Sequence, residues 1–446
     1  MTTANKPEIA KAKQPAFVPD SFKEFTLTDT LLGRRSRRFG LGMTIPDGPL
    51  AYESNYEPVP LSDDERALLA FAAAGVTGFN LGMPHTASGE SDKGANYILR
   101  YTGRTTPSGA SQQASEILIT DDSGTYISQT RALTEEHLAE IATAQTIEDY
   151  IGYAKNYLVK LSDEPVRLPA SAPFIYKHNW WNTLVPGTSL IVPIIDTTEQ
   201  ALNLLYIIAG EGNVLWDEAS DRPVGKPEKL IEQGVLNPEA KLPYSFFETS
   251  VQNFTHQELS LMPYNAQLAL QAAGLGGWLY GGVNGDALLG AFADQGVNGF
   301  GFTYTQVGPL NTPNPVGLEN YFETLAPPFV SSPREIVEKF HALKYGPDGA
   351  FSTTKGPYKD HEGYVEQVQR LSDAQLEYLI SVVEEVFDRE GRFPGSLPTV
   401  ATGIYTQATH IDPEYYAKFH NDDALLETHH NHFHDWHGGE QPQRRK

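Results

Sequence analysis

The chain has 446 residues, of which 40% are hydrophobic and 20% are charged, and its formal net charge is −23. This composition predicts a folded protein, and the acidic charge argues against nucleic acid as a partner, because a phosphate-binding surface needs concentrated lysine and arginine. The chain has no cysteine, which excludes disulfides, thiolate nucleophiles and cysteine-ligated metals, so any redox chemistry must come from a bound cofactor.

Both helices and strands are predicted in the first half of the chain. Residues 1–30 are polar at their start and are expected to form an N-terminal arm. Ser62 and Glu65 form a capping box that predicts a helix over 63–74. Two β-rich runs around 121–124 predict a hairpin, and residues 133–157 are predicted to contain one or two helices. No stretch resembles a signal peptide or a membrane span, so we expect a cytoplasmic protein.

A buried central strand is predicted over 189–195, where a continuous apolar run has the length of a strand, although Pro193 argues against it. The next helix, over 199–210, is expected to be capped by Thr197 or Thr198. Residues 213–254 are expected to be a long insertion or a lid, because prolines and glycines interrupt them and their periodicity is weak.

Later elements follow the same mixed pattern. We predict a short helix over 284–290 and a strand over 297–307, then helices over 333–343 and 373–388. Ser372 and Gln375 form a capping box for the last of these. Consecutive prolines at 327 and 328 mark an expected boundary. The chain is therefore expected to have an α+β fold.

Three segments have residues that suit an anionic, flat cofactor. Residues 34–38, RRSRR, are basic in an acidic chain, and guanidinium groups suit a phosphate, although such a run can also be a turn paired with surface carboxylates. Residues 106–111, TPSGAS, would let backbone N–H groups approach a ring, or would form an ordinary loop. Residues 261–282 form an Ala- and Gln-rich helix pattern that runs into glycines, where another flat group or backbone could come close.

The order of these segments resembles that of the nitroreductase-like flavoproteins, and particularly their SagB-type dehydrogenase branch. The resemblance spans about residues 31–328. It implies a central sheet flanked by helices, assembled as a homodimer with FMN at the subunit interface. Residues 31–328 would form the FMN-binding domain, with insertions over about 156–186 and 213–254 that compact members of the family would not need. Residues 329–446 would form a helical C-terminal extension with a His-rich tail.

The resemblance also assigns cofactor-binding residues in this sequence. The basic segment would hold the FMN phosphate and ribityl chain, the second segment would run along the flavin ring, and the end of the helix would lie beside it. The residues so assigned are Arg34, Arg35, Ser36, Arg38, Pro107, Ser108, Gly109, Asn265, Gln267, Gly274, Leu275, Gly276 and Gly277.

With FMN bound, the resemblance implies an oxidoreductase with a ping-pong mechanism. Hydride would pass between NAD(P)H or an organic substrate and an acceptor such as a nitroaromatic, a quinone or a conjugated compound. Tyr176, Lys177 and His178 are the candidates for stacking on the substrate or donating a proton, although such a cluster is often a packed surface patch. The alternatives are a flavin-sequestering protein and a metal-binding protein of the same fold, both without turnover.

The His-rich tail raises the possibility of a metal site. Glu427, His430, His434 and His437 recur at spacings that place them along one helical stripe, where they could bind a divalent ion. His429 and His432 lie on a neighbouring face, and His410 precedes them. The alternative is a polar, frayed terminus with adventitious metal affinity.

Overall fold

The computed structural model describes residues 8–83 and 95–445. Within those ranges the α-helices are α1 (Asp20–Glu24), α2 (Leu27–Gly33), α3 (Asp63–Ala74), α4 (Glu135–Ile141), α5 (Ile147–Tyr157), α6 (Thr197–Gly210), α7 (Glu228–Glu232), α8 (Tyr244–Ala273), α9 (Gly285–Leu289), α10 (Pro333–Tyr345), α11 (His361–Glu366), α12 (Asp373–Glu390), α13 (Pro413–Phe419) and α14 (Glu427–Trp436). The strands are β1 (Thr44–Ile45), β2 (Tyr52–Glu53), β3 (Val76–Phe79), β4 (Thr102–Arg104), β5 (Ser115–Asp121), β6 (Gly124–Ser128), β7 (Leu158–Ser162), β8 (Thr188–Asp196), β9 (Val214–Asp217), β10 (Arg222–Pro223), β11 (Lys241–Pro243), β12 (Gly276–Tyr280), β13 (Thr303–Val307), β14 (Thr312–Leu318), β15 (Phe322–Glu323), β16 (Val400–Thr402) and β17 (Tyr405–Thr409).

A central antiparallel sheet organises the molecule. Its strand order is β12-β17-β8-β5-β6-β7, and β16 pairs with the other end of β8. β8 is buried along its whole length, which confirms the predicted central strand. Pro193 lies opposite Ile117 within it, and its carbonyl accepts a hydrogen bond from Thr402 Oγ1 at 2.8 Å. The mixture of helices with this sheet agrees with the expected α+β class.

The two faces of the sheet bury different side chains, because successive residues of a strand point to opposite sides. On one face, Ile117 and Ile191 pack with the inward sides of α3, α5 and α8. On the other face, Leu118 and Val192 pack with residues of α9 and the chain around Phe300. A further apolar core joins α6 to α10 and α12. The 30-residue helix α8 packs on the first of these faces of the sheet.

Several predicted elements are confirmed with small changes of boundary. The capping boxes at Ser62 and Ser372 are formed, and the hairpin turns between β5 and β6. The N-cap of α6 is Asp196, not Thr197 or Thr198, and its carboxylate accepts from the N–H groups of Thr198 and Glu199. A carboxylate at the end of β8 can thus do what the hydroxyls were expected to do.

The insertion predicted over 213–254 contains regular structure. It holds the small sheet β10-β9-β11, helix α7 and the first turns of α8. α8 begins at Tyr244 and continues through Pro263. Residues 156–186 likewise include β7, the edge strand of the central sheet.

The sheet crosses the boundary expected at residue 328. β17 belongs to the C-terminal region and lies between β12 and β8, so the region over 329–446 is not a purely helical extension. β17 contains one tyrosine and two threonines, which are residue types that favour strands. At the other terminus, the described part of the arm packs on the same chain, where Gln14 N donates to Gly152 O at 3.0 Å. Among the described helices, none combines the length and apolar character needed to cross a bilayer.

Candidate functional site

The basic segment lies beside the C-terminal end of α8. Arg37 and Gly277 exchange two backbone hydrogen bonds, at 3.1 and 2.7 Å, which attaches the segment to β12. Gln267 Nε2 donates to Arg35 O at 3.3 Å, and the buried Arg37 guanidinium donates to Gln271 Oε1 at 2.6 Å. The structure therefore brings together the basic segment, Gln267 and the glycine run, as the sequence order suggested.

Three of the four arginines in this segment face solvent. Arg34, Arg35 and Arg38 are exposed, as is Ser36. Arg35 Nη1 donates to Leu32 O at 3.3 Å, and the Arg38 guanidinium lies 4.6 Å from the ring centre of Trp278. None of the three forms an ion pair with a carboxylate of the described residues. The interpretation of the segment as a turn paired with acidic neighbours therefore finds no support.

The glycine run packs against the chain's own C-terminal segment. Gly274 ends α8 with a left-handed backbone, φ 71°, and an added Cβ would lie 2.1 Å from Thr428 O. An added Cβ at Gly276 would lie 2.7 Å from Ile411 Cγ1. Gly277 and Leu275 are buried in the same way. The close approach that these small residues allow is thus filled by protein, so the run offers no open surface to a flavin ring.

The second matched segment packs on the middle of α8. Ser108 Oγ donates to Glu258 Oε1 at 2.5 Å and accepts from Gln113 N at 3.0 Å, so this hydroxyl already has partners. Asn265 Nδ2 donates to Thr105 O at 3.0 Å. Pro107 is exposed, and an added Cβ at Gly109 would lie 2.7 Å from Phe254 Cδ1.

The backbone that follows Gly109 is strained. Ala110, Ser111 and Gln113 have φ values of 52°, 48° and 50°, in the left-handed region that disfavours side chains. Gln112, between them, is fully buried, and its amide makes no hydrogen bond to a described residue. Strain and an unsatisfied buried amide together are typical of a segment that meets a ligand.

The candidate catalytic residues lie on the surface. Tyr176, Lys177 and His178 are all exposed, and the rings of Tyr176 and His178 stack at 6.1 Å. Trp181, which follows these residues, packs beside the residue after the basic segment: its ring centre lies 6.1 Å from that of Phe39. No hydrogen bond between described residues activates any of the three side chains.

A buried group of four side chains, the Glu65 cluster, joins the start of α3 to the C-terminal region. It consists of Glu65, His410, His432 and His437, whose potential ligand atoms all lie within 4.8 Å of one another. Glu65 Oε1 lies 3.1 Å from His410 Nε2, 2.9 Å from His432 Nε2 and 3.3 Å from His437 Nε2. The side chains of Glu65 and His410 are fully buried, and that of His437 is 20% exposed.

The predicted metal ligands are mostly not in this cluster. His437 belongs to it, but Glu427, His430 and His434 are exposed on the outer side of α14. The reason is the orientation of the helix: its buried face carries His429, His432 and Trp436. Trp436 was the available signal, because a large apolar residue marks the side of a helix that packs inward. Glu65 and His410 are remote in sequence, and no spacing relates them to the tail.

Local contacts position each member of the cluster. The capping box of α3 uses Glu65 Oε2, which accepts from Ser62 N at 2.6 Å and leaves Oε1 to face the histidines. His410 follows β17, and its Nδ1 lies 2.9 Å from Val59 O. His432 Nδ1 lies 2.8 Å from Ala273 O, at the end of α8.

The electrostatics of the cluster depend on its histidines. Burial raises the pKa of Glu65, but the charge of His410 and the three imidazoles that face the carboxylate outweigh it, and the pKa lies well below its ordinary value. Burial lowers the pKa of His410, but the effect of Glu65 is larger, so the pKa lies above its ordinary value. The pKa of His432 is lowered, mainly by burial. His410 is therefore the one of these two that favours a charge.

A second buried group, the Asp196 cluster, lies at the start of α6. It consists of Arg100, Arg131, Asp196 and Glu199, and Glu199 accepts from Arg100 at 2.8 Å and from Arg131 at 2.6 Å. Burial and the nearby Glu199 raise the pKa of Asp196 to about 7, whereas the two arginines outweigh burial and lower that of Glu199 to about 2. Three of its members line a cavity of about 500 Å³.

Comparison with known proteins does not assign the chain to a family. No family model and no curated protein sequence matches the chain. One solved structure found by the comparison is a presumed nitroreductase from Ralstonia eutropha JMP134. It is 16% identical, the match covers 62% of this chain and 85% of that chain, and the TM-score is 0.26. A TM-score this low does not establish a common fold.

Proposed function

We propose that the protein is an FMN-dependent oxidoreductase, with the FMN phosphate bound by Arg34, Arg35 and Arg38. The observation that carries this proposal concerns the arginines: three exposed guanidinium groups form no ion pair with a carboxylate of the described residues, in a chain with a net charge of −23. Guanidinium groups held on a fixed backbone suit a phosphate. The exposed hydroxyl of Ser36 lies in the same segment.

The remaining matched residues fit the cofactor in part. The strained loop after Gly109 and the unsatisfied amide of Gln112 support a ligand beside Pro107 and Ser108. The glycine run does not fit, because Thr428 and Ile411 fill the space beside it. We therefore reassign the glycine run to a structural role, which is to hold the C-terminal segment; its residues are Gly274, Leu275, Gly276 and Gly277. We propose that the flavin ring lies beside the loop that follows Gly109, and that a second subunit completes the site in a homodimer.

A bound flavin would supply two-electron transfer between a reduced nicotinamide or an organic substrate and an acceptor. We propose nitroaromatic, quinone or conjugated acceptors and alternating binding at one site. Tyr176, Lys177 and His178 are exposed and free to stack on a substrate or to donate a proton. In the SagB-type direction the protein would instead dehydrogenate its substrate and return electrons to oxygen.

The visible absorption spectrum of the purified protein tests this proposal. We expect flavin bands, and the chromophore released by heat should be FMN at about one per chain. Absence of flavin, even after incubation with FMN, would contradict the proposal.

A double variant, Arg34→Ala with Arg35→Ala, tests the phosphate site. We expect it to retain a small fraction of the flavin while its unfolding transition stays unchanged, because both side chains are exposed. The matched control is Arg222→Ala with Arg334→Ala, which removes two arginines that pair with Glu385 and Glu377, both at 2.8 Å. Equal flavin content in the two double variants would remove the assignment.

A flavin-sequestering role is separated from an enzyme by turnover. Steady oxidation of NADH or NADPH in the presence of a quinone requires that electrons leave the flavin. We expect turnover with at least one such acceptor. A protein that contains FMN but is reduced only once would favour sequestration.

A further inference from the structure

We propose that Glu65, His410, His432 and His437 bind one divalent transition-metal ion, which fixes the C-terminal region to the start of α3. This site is separate from the flavin proposal and stands without it. It also differs from the stripe of exposed tail residues, since Glu427, His430 and His434 take no part.

Hydrogen bonding decides which nitrogen atoms carry protons. A carbonyl oxygen only accepts, so Nδ1 of His410 must be protonated to bond Val59 O, and Nδ1 of His432 must be protonated to bond Ala273 O. In the neutral rings, both Nε2 atoms are then lone pairs, and both face the lone pairs of Glu65 Oε1 within 3.1 Å. This arrangement is repulsive unless something positive lies between them.

Protonation of the histidines does not resolve the contact. An imidazolium at His410 and a neutral His437 with its proton on Nε2 would satisfy two of the three close approaches to Oε1 and would leave that of His432. Two imidazolium groups would place buried cations side by side, with ring centres 4.9 Å apart at His410 and His432. His432 Nε2 is buried, and despite its 2.9 Å separation from Oε1 it makes no hydrogen bond to a described residue. A single metal cation would satisfy all of these lone pairs at once.

The distances agree with a metal site after a small expansion. Metal–nitrogen bonds of ~2.0–2.1 Å place the ligand atoms of a tetrahedral site about 3.4 Å apart. The three nitrogen–oxygen distances here are 2.9, 3.1 and 3.3 Å. These three distances need to lengthen by a few tenths of an ångström at most to admit the ion, and all four ligand atoms lie within 4.8 Å of one another. Backbone carbonyls bound to the far nitrogen of two imidazoles also match the support that metal-binding histidines usually receive.

The ligand set indicates the kind of ion and its role. Three imidazoles and one carboxylate suit zinc, cobalt, nickel, iron or copper, whereas calcium and magnesium prefer oxygen ligands. Glu65 and His432 lie in α3 and α14, and His410 and His437 directly follow β17 and α14, so the ligands come from three separate parts of the sequence. A site closed by four protein ligands is typical of a structural ion. A cavity of about 340 Å³ is lined by His437 and Phe433 and so reaches the edge of the cluster.

Metal content of variants tests the site. The full chain is expressed in medium containing zinc, cobalt, nickel, iron and manganese, purified without a metal-affinity tag, and analysed by mass spectrometry. We expect about one equivalent of one ion in the wild type and less than about a tenth of an equivalent in His432→Ala and in Glu65→Gln. The matched controls are His430→Ala and His434→Ala, on the outer side of the same helix, which should keep the ion.

A titration guards against variants that fail to fold. The wild-type chain is stripped with a chelator and titrated with zinc alone, and in parallel with cobalt(II), whose visible bands report tetrahedral coordination. We expect saturation at one ion, cobalt bands, and protection of the segment after residue 410 from protease once zinc is bound. No binding at one equivalent, or loss of the ion in His430→Ala but not in His432→Ala, would overturn the proposal.

Discussion

The protein buries charge in two clusters that balance it differently. In the Asp196 cluster Glu199 accepts from two guanidinium groups, at 2.8 and 2.6 Å. Asp196 lies 3.6 Å from the nearer of them, that of Arg131, and its pKa is near neutrality. In the Glu65 cluster one carboxylate meets three imidazoles, two of which already use their N–H groups elsewhere. The first cluster pairs opposite charges within the chain, and we propose that the second binds a cation.

The difference between the clusters shows that burial of charged groups does not by itself indicate a bound ligand. A buried ion pair is expected to be costly to break but is no sign of a ligand, because its partners satisfy each other. An excess of lone pairs at one point has no partner in the protein. Of the two clusters, only the Glu65 cluster therefore predicts a bound ion, although both are buried and both lie beside a cavity.

Arg131→Met should have the largest effect on stability and should leave the metal site unchanged. It removes one of two donors to Glu199 and leaves a buried carboxylate undercompensated, a change that costs about 3–5 kcal/mol. Denaturant unfolding measures the loss, and metal content is the control. A variant as stable as the wild type would mean that the Asp196 cluster is not held by its arginines.

Zinc should stabilise the wild type but not His432→Ala. At a free zinc concentration 100 times the dissociation constant, the free energy of unfolding should rise by about 2.7 kcal/mol. Chemical unfolding with zinc and with a chelator checks this, and His430→Ala should behave as the wild type. Equal stabilisation of His432→Ala would place the ion outside the Glu65 cluster and would contradict the claim that this cluster, unlike the Asp196 cluster, binds a cation.

The pH dependence of unfolding should report Asp196. Its pKa in the folded chain, about 7, lies above the ordinary value of 3.8, so its contribution to stability is fully present below pH 4 and is lost as pH rises to about 7. We expect Asp196→Asn to remove this loss, on the order of 2 kcal/mol between pH 5 and 8. The amide can still cap α6. Parallel pH profiles of the variant and the wild type would contradict the assignment.

The smallest effect on stability should come from the arginines proposed to hold phosphate. Arg34→Ala and Arg35→Ala remove exposed side chains that pair with no carboxylate of the described residues, so the unfolding midpoint should not move measurably. Addition of FMN should raise the midpoint of the wild type and not that of the double variant. A marked loss of stability without FMN would show that these arginines serve the fold.

Local signals in the sequence predicted much of the fold. Capping boxes at Ser62 and Ser372 and the apolar run of β8 are determined by neighbouring residues, and each element is present. α8 was predicted only in part, because its first turns have weak periodicity and because a proline such as Pro263 usually ends a helix. The insertion of β17 between β12 and β8 joins distant segments and has no local signal.

The candidate site was predictable to a smaller degree. The meeting of the basic segment with Gln267 and Gly277 agrees with the order of the three segments. The ligands of the Glu65 cluster could not be chosen from spacing, because Glu65 also completes a capping box and His410 stands alone in the sequence. Trp436 was a sequence signal for the inward face of α14, and the packing of α14 against the end of α8 shows that His432, and not His430, lies on that face.

The most direct test of the contrast between the two clusters is a crystal structure with diffraction data collected at the absorption edge of the ion that fluorescence identifies. We predict one anomalous peak, at bonding distance from Glu65 Oε1 and from the Nε2 atoms of the three histidines of the Glu65 cluster. We predict no peak at the Asp196 cluster. A fully ordered Glu65 cluster without a peak, or an ion held only by the exposed histidines of α14, would contradict this account.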